Sequence, residues 1–504
     1  MKNLRSKTSS ANRRQFLLAS SAAVTAAALT EVAARAAESA AEKGGIRLEP
    51  SGRDLFRVRV EIEVEGNVNI PKNALVSRKT AMQVPIKSEA TLDYEERFRR
   101  PPGATSGEVT MAERYYHEAT SRSEVNRSEY VGKLRESVRE AIVRREMLPE
   151  VIYCADDYLQ RDELELLRMP VSSIAVEQLL PAEPVVVGTE YKPSREAIVS
   201  VLNMTSVEQS DVTAKVVAIN KGDARIEFRG KVMGSVDGVP TEVRTAGKLV
   251  FDREQGICTW LAIGIHETRE IGLAEPGFDI AATIKMVRKP LPSPIALSSP
   301  PKPVDVTAPI PQDRLYVELA SDHLGFSALM DRRWRMMSDV PGAAMMRMVE
   351  MDRSVAQCDV RPLATLPAGV QWTLEAFQQD VRRTLGEQLS DLIEAEESLS
   401  PAGMRVLRLV ARGSVQGVPI QWVLLHFSDD SGRRLLATFT MEGQNVATFA
   451  GADTQLAATL GFRQSATSES SQRQASREAA GQEVARAKPS DQAGDEVQSV
   501  LERR

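Results

Sequence analysis

Apolar and polar residues alternate with a period of two through much of this chain. In "FRVRVEIEVEGNVNI", Val58, Val60, Ile62 and Val64 point one way, while Arg57, Arg59, Glu61, Glu63 and Glu65 point the other. That pattern predicts a strand with one buried and one wet face. Ile86, Ala90, Leu92, Tyr94 and Phe98 repeat it with polar breaks. It returns at Val212, Ala214 and Val216, at Ala224, Ile226 and Phe228, at Leu249 and Phe251, and at Leu261, Ile263 and Ile265. The connections "NKGD", "GSVDGVP" and "DREQG" carry the Gly and Asp that tight hairpins require. Successive strands on short turns predict an antiparallel meander in one large curved sheet. Its apolar face needs a cover. Ser194 is placed to cap a helix through Ile198, Val199 and Leu202, and "RDELELL" and "SSIAVEQLL" read as further helical pieces. Residues 126–146 fit a solvated helix or a strand equally.

Farther along, the rhythm changes. "GFSALMDRRWRMM" predicts two short strands joined by a charged turn. Thr373 is placed to cap a helix whose Phe377, Val381, Leu385, Leu389 and Leu392 share a stripe. From Met404 the alternation leads into "GSVQGVPIQWVLLHF", a hairpin turning near Gly417, and "DDSGRR" turns again into "LLATFTME". A closing helix is expected from Ala450 through Leu456 to Leu460.

Residues 289–312 divide these two regions. The segment reads "KPLPSPIALSSPPKPVDVTAPIPQ", and proline at that density excludes helix and central strand and favours an extended spacer. After Arg463 the chain is rich in Ser, Gln, Ala and charge, too poor in large apolar residues to offset the entropy of ordering. The expected organisation is an export signal at 1–36, a β-rich domain at 46–288, a Pro-rich linker at 289–312, a second domain at 313–463 and a disordered tail at 464–504. The expected fold class is α+β, with each domain an antiparallel sheet packed on helices.

The export reading rests on the first residues. Lys2, Arg5, Lys7, Arg13 and Arg14 precede a short, alanine-diluted apolar run from Phe16 to Leu29, and Ala34 and Ala36 are small residues at a cleavage position. The run is shorter than the roughly 20 residues a spanning helix needs. With Phe16 and Leu17 after the arginine pair, the motif resembles the twin-arginine signal of bacterial proteins exported already folded. Asn12 stands where Ser or Thr is usual in that signal, and Leu18 where Lys is frequent. The resemblance implies the twin-arginine translocation machinery as a partner during export and a periplasmic or secreted mature chain.

Each folded region also has a resemblance of its own. The order of strands, long helix, hairpins and final helix in 313–463 resembles the PsbP-like fold. It is carried by Gly325, Phe326 and Trp334, by Gly417 to Trp422, and by the "AD-x-x-L-x-x-T-L-x-F" finish at Phe462. Those residues mark core packing, and the resemblance implies a binding or assembly module. Roughly the last half of the first region, a curved antiparallel sheet wrapped on helices, resembles in architecture the LolA-like lipoprotein-carrier fold, which implies a concavity able to hold an acyl chain.

Composition narrows the chemistry. The chain has 504 residues, 42% of them hydrophobic and 26% charged, with a net charge of −5. Interspersed charges of both signs give no footprint for nucleic acid. Cys154, Cys258 and Cys358 stand far apart, as buried thiols do, and a disulfide framework is not expected. The four histidines are His117, His266, His323 and His426, and none has a second histidine at metal spacing. His266 and His426 fall in predicted strands as satisfied structural imidazoles. There is no nucleophile elbow or phosphate loop. Asp156-Asp157 and Asp429-Asp430 read as turns, and the four tryptophans as core packing. No catalytic, cofactor or metal residue is nominated. The expected function is a non-enzymatic binding or scaffolding protein of the bacterial envelope, without cofactor, whose partner is an unknown envelope protein or small ligand. The alternatives are a carrier of a lipid or other apolar ligand in the first sheet and, third, an unrecognised hydrolase. Bulky branched residues on the strands and on the covering helix predict a filled core with no large apolar pocket.

Overall fold

The computed structural model describes residues 45–70, 82–100, 109–272, 276–301, 305–367 and 369–463. Arg13, Arg14, Phe16, Leu17, Ala34 and Ala36, and the tail from 464 onward, lie outside the described residues.

One 13-stranded sheet occupies the first region. Leu55–Ile70 lies at its centre, flanked by Met82–Arg99 and by Gly277–Pro290. Beyond Met82–Arg99 come Met111–Val125, Glu140–Arg144 and Val151–Tyr153. Beyond Gly277–Pro290 come Ile257–Arg269, Val239–Asp252, Asp223–Val236, Thr213–Ile219 and Glu190–Tyr191. Ser128–Lys133 and Ser206–Ser210 add to Met111–Val125 and Asp223–Val236. Every pairing is antiparallel, and the alternation in sequence is the alternation in space: Val58 and Val60 are fully buried on Leu55–Ile70. The predicted turns are real. Asp237 and Gly238 close the "GSVDGVP" hairpin with both φ angles positive, as a tight two-residue turn demands. Residues 126–146 resolve as two short strands separated by a single 3₁₀ turn.

The second region holds a 3-stranded and a 7-stranded sheet. Phe326–Asp331 belongs to the small sheet and Trp334–Val340 to the large one, so the charged turn between them switches sheets. Thr373 caps the helix Leu374–Leu385, its hydroxyl accepting from the Ala376 amide at 3.2 Å. The helix stops where Gly386 takes φ +51°. Leu389 and Leu392, expected on the helical stripe, therefore lie on the edge strand Leu389–Leu399. The closing helix runs Ala452–Thr459 within the expected span, and a separate short helix, Val446–Phe449, precedes it.

The α+β expectation is overturned. Strand accounts for 55% of the described residues and helix for 14%, in large antiparallel sheets. The reason is visible over the first sheet. Where helix is expected across residues 172–180, only the 3₁₀ turn Val176–Leu179 forms, and irregular chain carrying Val171, Ile174 and Ala175 does the covering. Hydrophobic residues can seal a sheet from a loop if the loop's polar groups find partners. No helix among the described residues is long and apolar enough to cross a membrane.

The Pro-rich segment is strapped down rather than free. Glu95 accepts the amides of Ile295 at 2.8 Å, Ala296 at 2.9 Å and Leu297 at 3.3 Å, and His117 Nε2 lies 2.7 Å from the same carboxylate. Arg97 donates to the Ser298 carbonyl at 2.8 Å, and Arg144 to the Ala308 carbonyl at 2.8 Å. Leu297 is buried. The two regions also touch. Gln160 donates to Glu318 at 3.0 Å, Arg161 to the Arg332 carbonyl at 3.0 Å, and Arg332 to the Ile152 carbonyl at 3.3 Å.

Candidate binding cleft

Strands Met82–Arg99 and Met111–Val125 put Glu96 directly opposite Arg114 in register, both on the covered face. Both side chains are wholly buried, and Arg114 Nε donates to Glu96 at 2.9 Å. Charge at that depth is tolerated only if it is paired and hydrogen-bonded. The covering segment supplies the remaining partners. The Ser173 hydroxyl donates to Glu96 at 2.7 Å and accepts from Arg114 Nη2 at 3.1 Å and from the Tyr94 hydroxyl at 3.0 Å. Ser172 donates to Glu150, which pairs with Arg145 at 3.0 Å. Burial pushes the Tyr94 phenol well above its ordinary range and raises that of Tyr116, so both stay protonated. With Arg114 and Glu96 sealed from any substrate, the network positions the covering segment.

Beside it the cover stops short. Ser194 caps the helix Arg195–Val201 by accepting the Ala197 amide at 3.1 Å. The chain then turns at Asn203, which takes φ +50°. Asn203 ties two neighbours together, accepting the Glu150 amide at 2.7 Å and donating to the Met169 carbonyl at 3.3 Å. Between this turn and the sheet lies a cleft of about 250 Å³. Its apolar wall is Met169, Leu202, Met204, Val243, Ile265 and Phe278. Its rim carries two ion pairs, Arg168–Glu165 at 3.4 Å and Arg269–Glu267 at 2.7 Å, with the Arg269 guanidinium 5.2 Å from the Phe278 ring centroid. Deeper in, Leu261, Ile263, Ile198 and Val201 are sealed. The opening is confined to one end of the sheet, near Ile265 and Leu202, and falls below the roughly 300–1,000 Å³ of common ligand pockets.

The residues weighed in the sequence are scattered. His117 braces Glu95, and His266 pairs with Asp279 at 3.0 Å on the wet face. His323 is exposed in a turn. His426 is buried between Trp372 and Phe377, at ring-centroid distances of 5.2 and 5.9 Å. Neither of its nitrogens has a hydrogen-bond partner among the described residues, so it is not the satisfied imidazole expected there. Burial, with the Arg434 and Arg405 charges, lowers its pKa to about 4. The three cysteines are separate and buried, and burial raises the Cys154 thiol to about 12. Asp429 organises a turn, accepting from the amides of Ser431 and Arg433 at 3.0 Å each. No group of three or more His, Cys, Asp and Glu among the described residues could hold a metal. The buried network escaped the sequence reading. Its trace was the polar break at Glu96 in an otherwise alternating strand.

No family model matches the chain, and no curated protein matches it. Solved structures are similar over parts or most of it. A protein from Bacteroides thetaiotaomicron aligns at 14% identity with a TM-score of 0.21, over 29% of this chain and 48% of its own. This chain thus spans about half the length of that protein. Cyanobacterial PsbP from Synechocystis aligns at 15% identity with a TM-score of 0.23, over 29% of this chain and 92% of its own. The translocator domain of the autotransporter NalP from Neisseria meningitidis aligns at 7% identity with a TM-score of 0.12, over 87% of this chain and 97% of its own.

Proposed function

We propose that this chain is a non-enzymatic binding protein of the bacterial envelope, and that the cleft between the curved sheet and the Asn203 turn takes a small amphipathic ligand. The observation that carries this reading is the cleft's lining: an apolar wall ending in Ile265 and Phe278, with the Arg168 and Arg269 ion pairs at its mouth. Such a wall takes an apolar body and such a rim takes a polar head. Carriage of a whole acyl chain, as the LolA-like resemblance implies, would need a longer trough, and the sealed Leu261 and Ile263 favour the smaller ligand. The envelope assignment rests on Arg13, Arg14, Phe16 and Leu17, with removal near Ala34 and Ala36, and replacing both arginines by Lys should hold the precursor in the cytoplasm. The PsbP-like second region, on this reading, is an assembly module.

The test uses the purified protein. An anionic naphthalene dye whose fluorescence rises in apolar sites should bind saturably, and Ile265→Trp, which fills the cleft, should abolish that binding with circular dichroism unchanged. Equal dye binding by both proteins would refute the cleft. Native mass spectrometry followed by lipid extraction should show no long-chain lipid, and a stoichiometric lipid would restore the carrier reading.

A further inference from the structure

A second opening lies at the far end of the Gly277–Pro290 strand, ten residues along from Phe278. It measures about 110 Å³, and Phe56, Phe98, Arg100, Glu177, Ile257 and Arg288 line it. Arg288 occupies an inward position after Ile284 and Met286, both of them sealed in the core. It is 2% exposed. Its guanidinium lies 4.6 Å from the Phe56 ring centroid and 5.6 Å from that of Phe98. Nη1 is used, donating to Glu177 and, at 3.4 Å, to the Cys258 carbonyl. Nε and Nη2 have no hydrogen-bond partner among the described residues. Those two nitrogens form one edge of the guanidinium plane, with parallel N–H bonds, the edge that grips two oxygens at once.

We propose that this pocket binds a small carboxylate, with the Nε and Nη2 edge of Arg288 as its two-point anchor. Charge selects the ligand. Glu177 answers Arg288, and Asp54 pairs with Arg100. Arg53, exposed on the rim, takes part in no ion pair of the described residues, so the pocket carries one positive charge in excess. A monoanion neutralises it, whereas a phosphate dianion leaves a surplus negative charge beside Glu177. Shape agrees, since a planar carboxylate matches the planar edge. The Phe56 and Phe98 rings and Ile257 suit a short apolar or aromatic stem. The volume corresponds to roughly four waters at about 30 Å³ each, room for a headgroup and a stub of carbon and not for a lipid.

Benzoate is the probe, titrated calorimetrically into the full chain, with inorganic phosphate and a long-chain fatty acid as parallel arms. Benzoate should bind saturably with one site. Arg288→Lys keeps the charge and loses the two-donor edge, so affinity should fall by about tenfold or more. Arg53→Gln, at an exposed position, should weaken binding severalfold with circular dichroism unchanged. Ile265→Trp in the cleft should leave benzoate binding unchanged, which separates failure of this site from failure of the proposed cleft. Absence of benzoate binding at millimolar concentration, binding as tight in both Arg288→Lys and Arg53→Gln as in the unaltered chain, or phosphate or fatty acid binding more tightly than benzoate would each overturn the proposal.

Discussion

Removing the Glu95 carboxylate should release the strap that joins the two regions. Three backbone amides in a row, from Ile295 to Leu297, converge on that carboxylate. It is fully buried and its pKa is lowered: burial opposes ionisation, but the strap amides and His117 outweigh it. In Glu95→Ala all three amides lose their acceptor at once. On opening they regain water, so the relevant figure is the net worth of each bond, about 1 kcal/mol, and three together amount to about 3 kcal/mol. That corresponds to roughly a hundredfold change in the opening equilibrium. Hydrogen exchange followed by mass spectrometry should therefore show Ile295–Leu297 amides exchanging about a hundredfold faster in Glu95→Ala, while Leu55–Ile70 stays protected. The same link fixes the pH dependence. A carboxylate with a lowered folded pKa contributes stability above its ordinary pKa and loses it as pH falls, so the strap of the unaltered chain should loosen in acid. Exchange at Ile295–Leu297 that is unchanged in Glu95→Ala would show that Leu297 packing and the Arg97 bond to Ser298 hold the strap alone.

Three further outcomes are expected. His426 has a folded pKa of about 4 against an ordinary 6.5, so it contributes stability as the neutral form above pH 6.5 and loses it as pH falls, by about 3 kcal/mol near pH 4; His426→Phe should flatten that slope in urea titrations monitored by circular dichroism, and an unchanged slope would refute it. Arg114→Met strands Glu96 in the core, while Glu150 keeps Arg145 and Ser172, and should cost about 3–5 kcal/mol of unfolding free energy, with part recovered in the Arg114→Met/Glu96→Leu double variant; full additivity would contradict the network. In Gly238→Ala the new Cβ would stand 2.5 Å from the Met351 carbonyl carbon, at a φ of +85° that Ala disfavours, so the variant should lose about 1 kcal/mol or more of unfolding free energy in urea titrations, and an unchanged midpoint would refute the contact.

What the sequence made legible was periodicity and turn chemistry. Val58 to Val64, the "NKGD", "GSVDGVP" and "DREQG" turns, and the caps at Ser194 and Thr373 all depend on residues close in sequence, where local sterics decide. Leu389 and Leu392 misled because apolar residues three and four apart fit a helix, yet Gly386 at positive φ ends it and the sheet edge claims Leu389–Leu399. "SSIAVEQLL" misled for another reason. Its apolar residues are needed at the sheet, but the Ser172 and Ser173 hydroxyls are committed to Glu150 and Glu96 on other elements. No local rule reveals a partner 77 residues away. The cleft and the Arg288 pocket are harder still, since both are defined by where packing ends.

The place of Leu55–Ile70 beside Gly277–Pro290 completes the first sheet through a pairing of strands far apart in sequence. These strands stand at opposite ends of the first region's sequence, yet they pair from Phe56 with Pro290 to Asn69 with Gly277. Without that pairing the sheet would be two half-sheets, each ending in a long edge with unpaired backbone groups. Such edges invite pairing with neighbouring chains. The charged row Arg57, Arg59, Glu61, Glu63 and Glu65 along one of them is of the kind that disfavours such pairing, and Lys285 stands opposite Glu61 across the seam. The residues suited to shield an open edge thus stand inside the completed sheet.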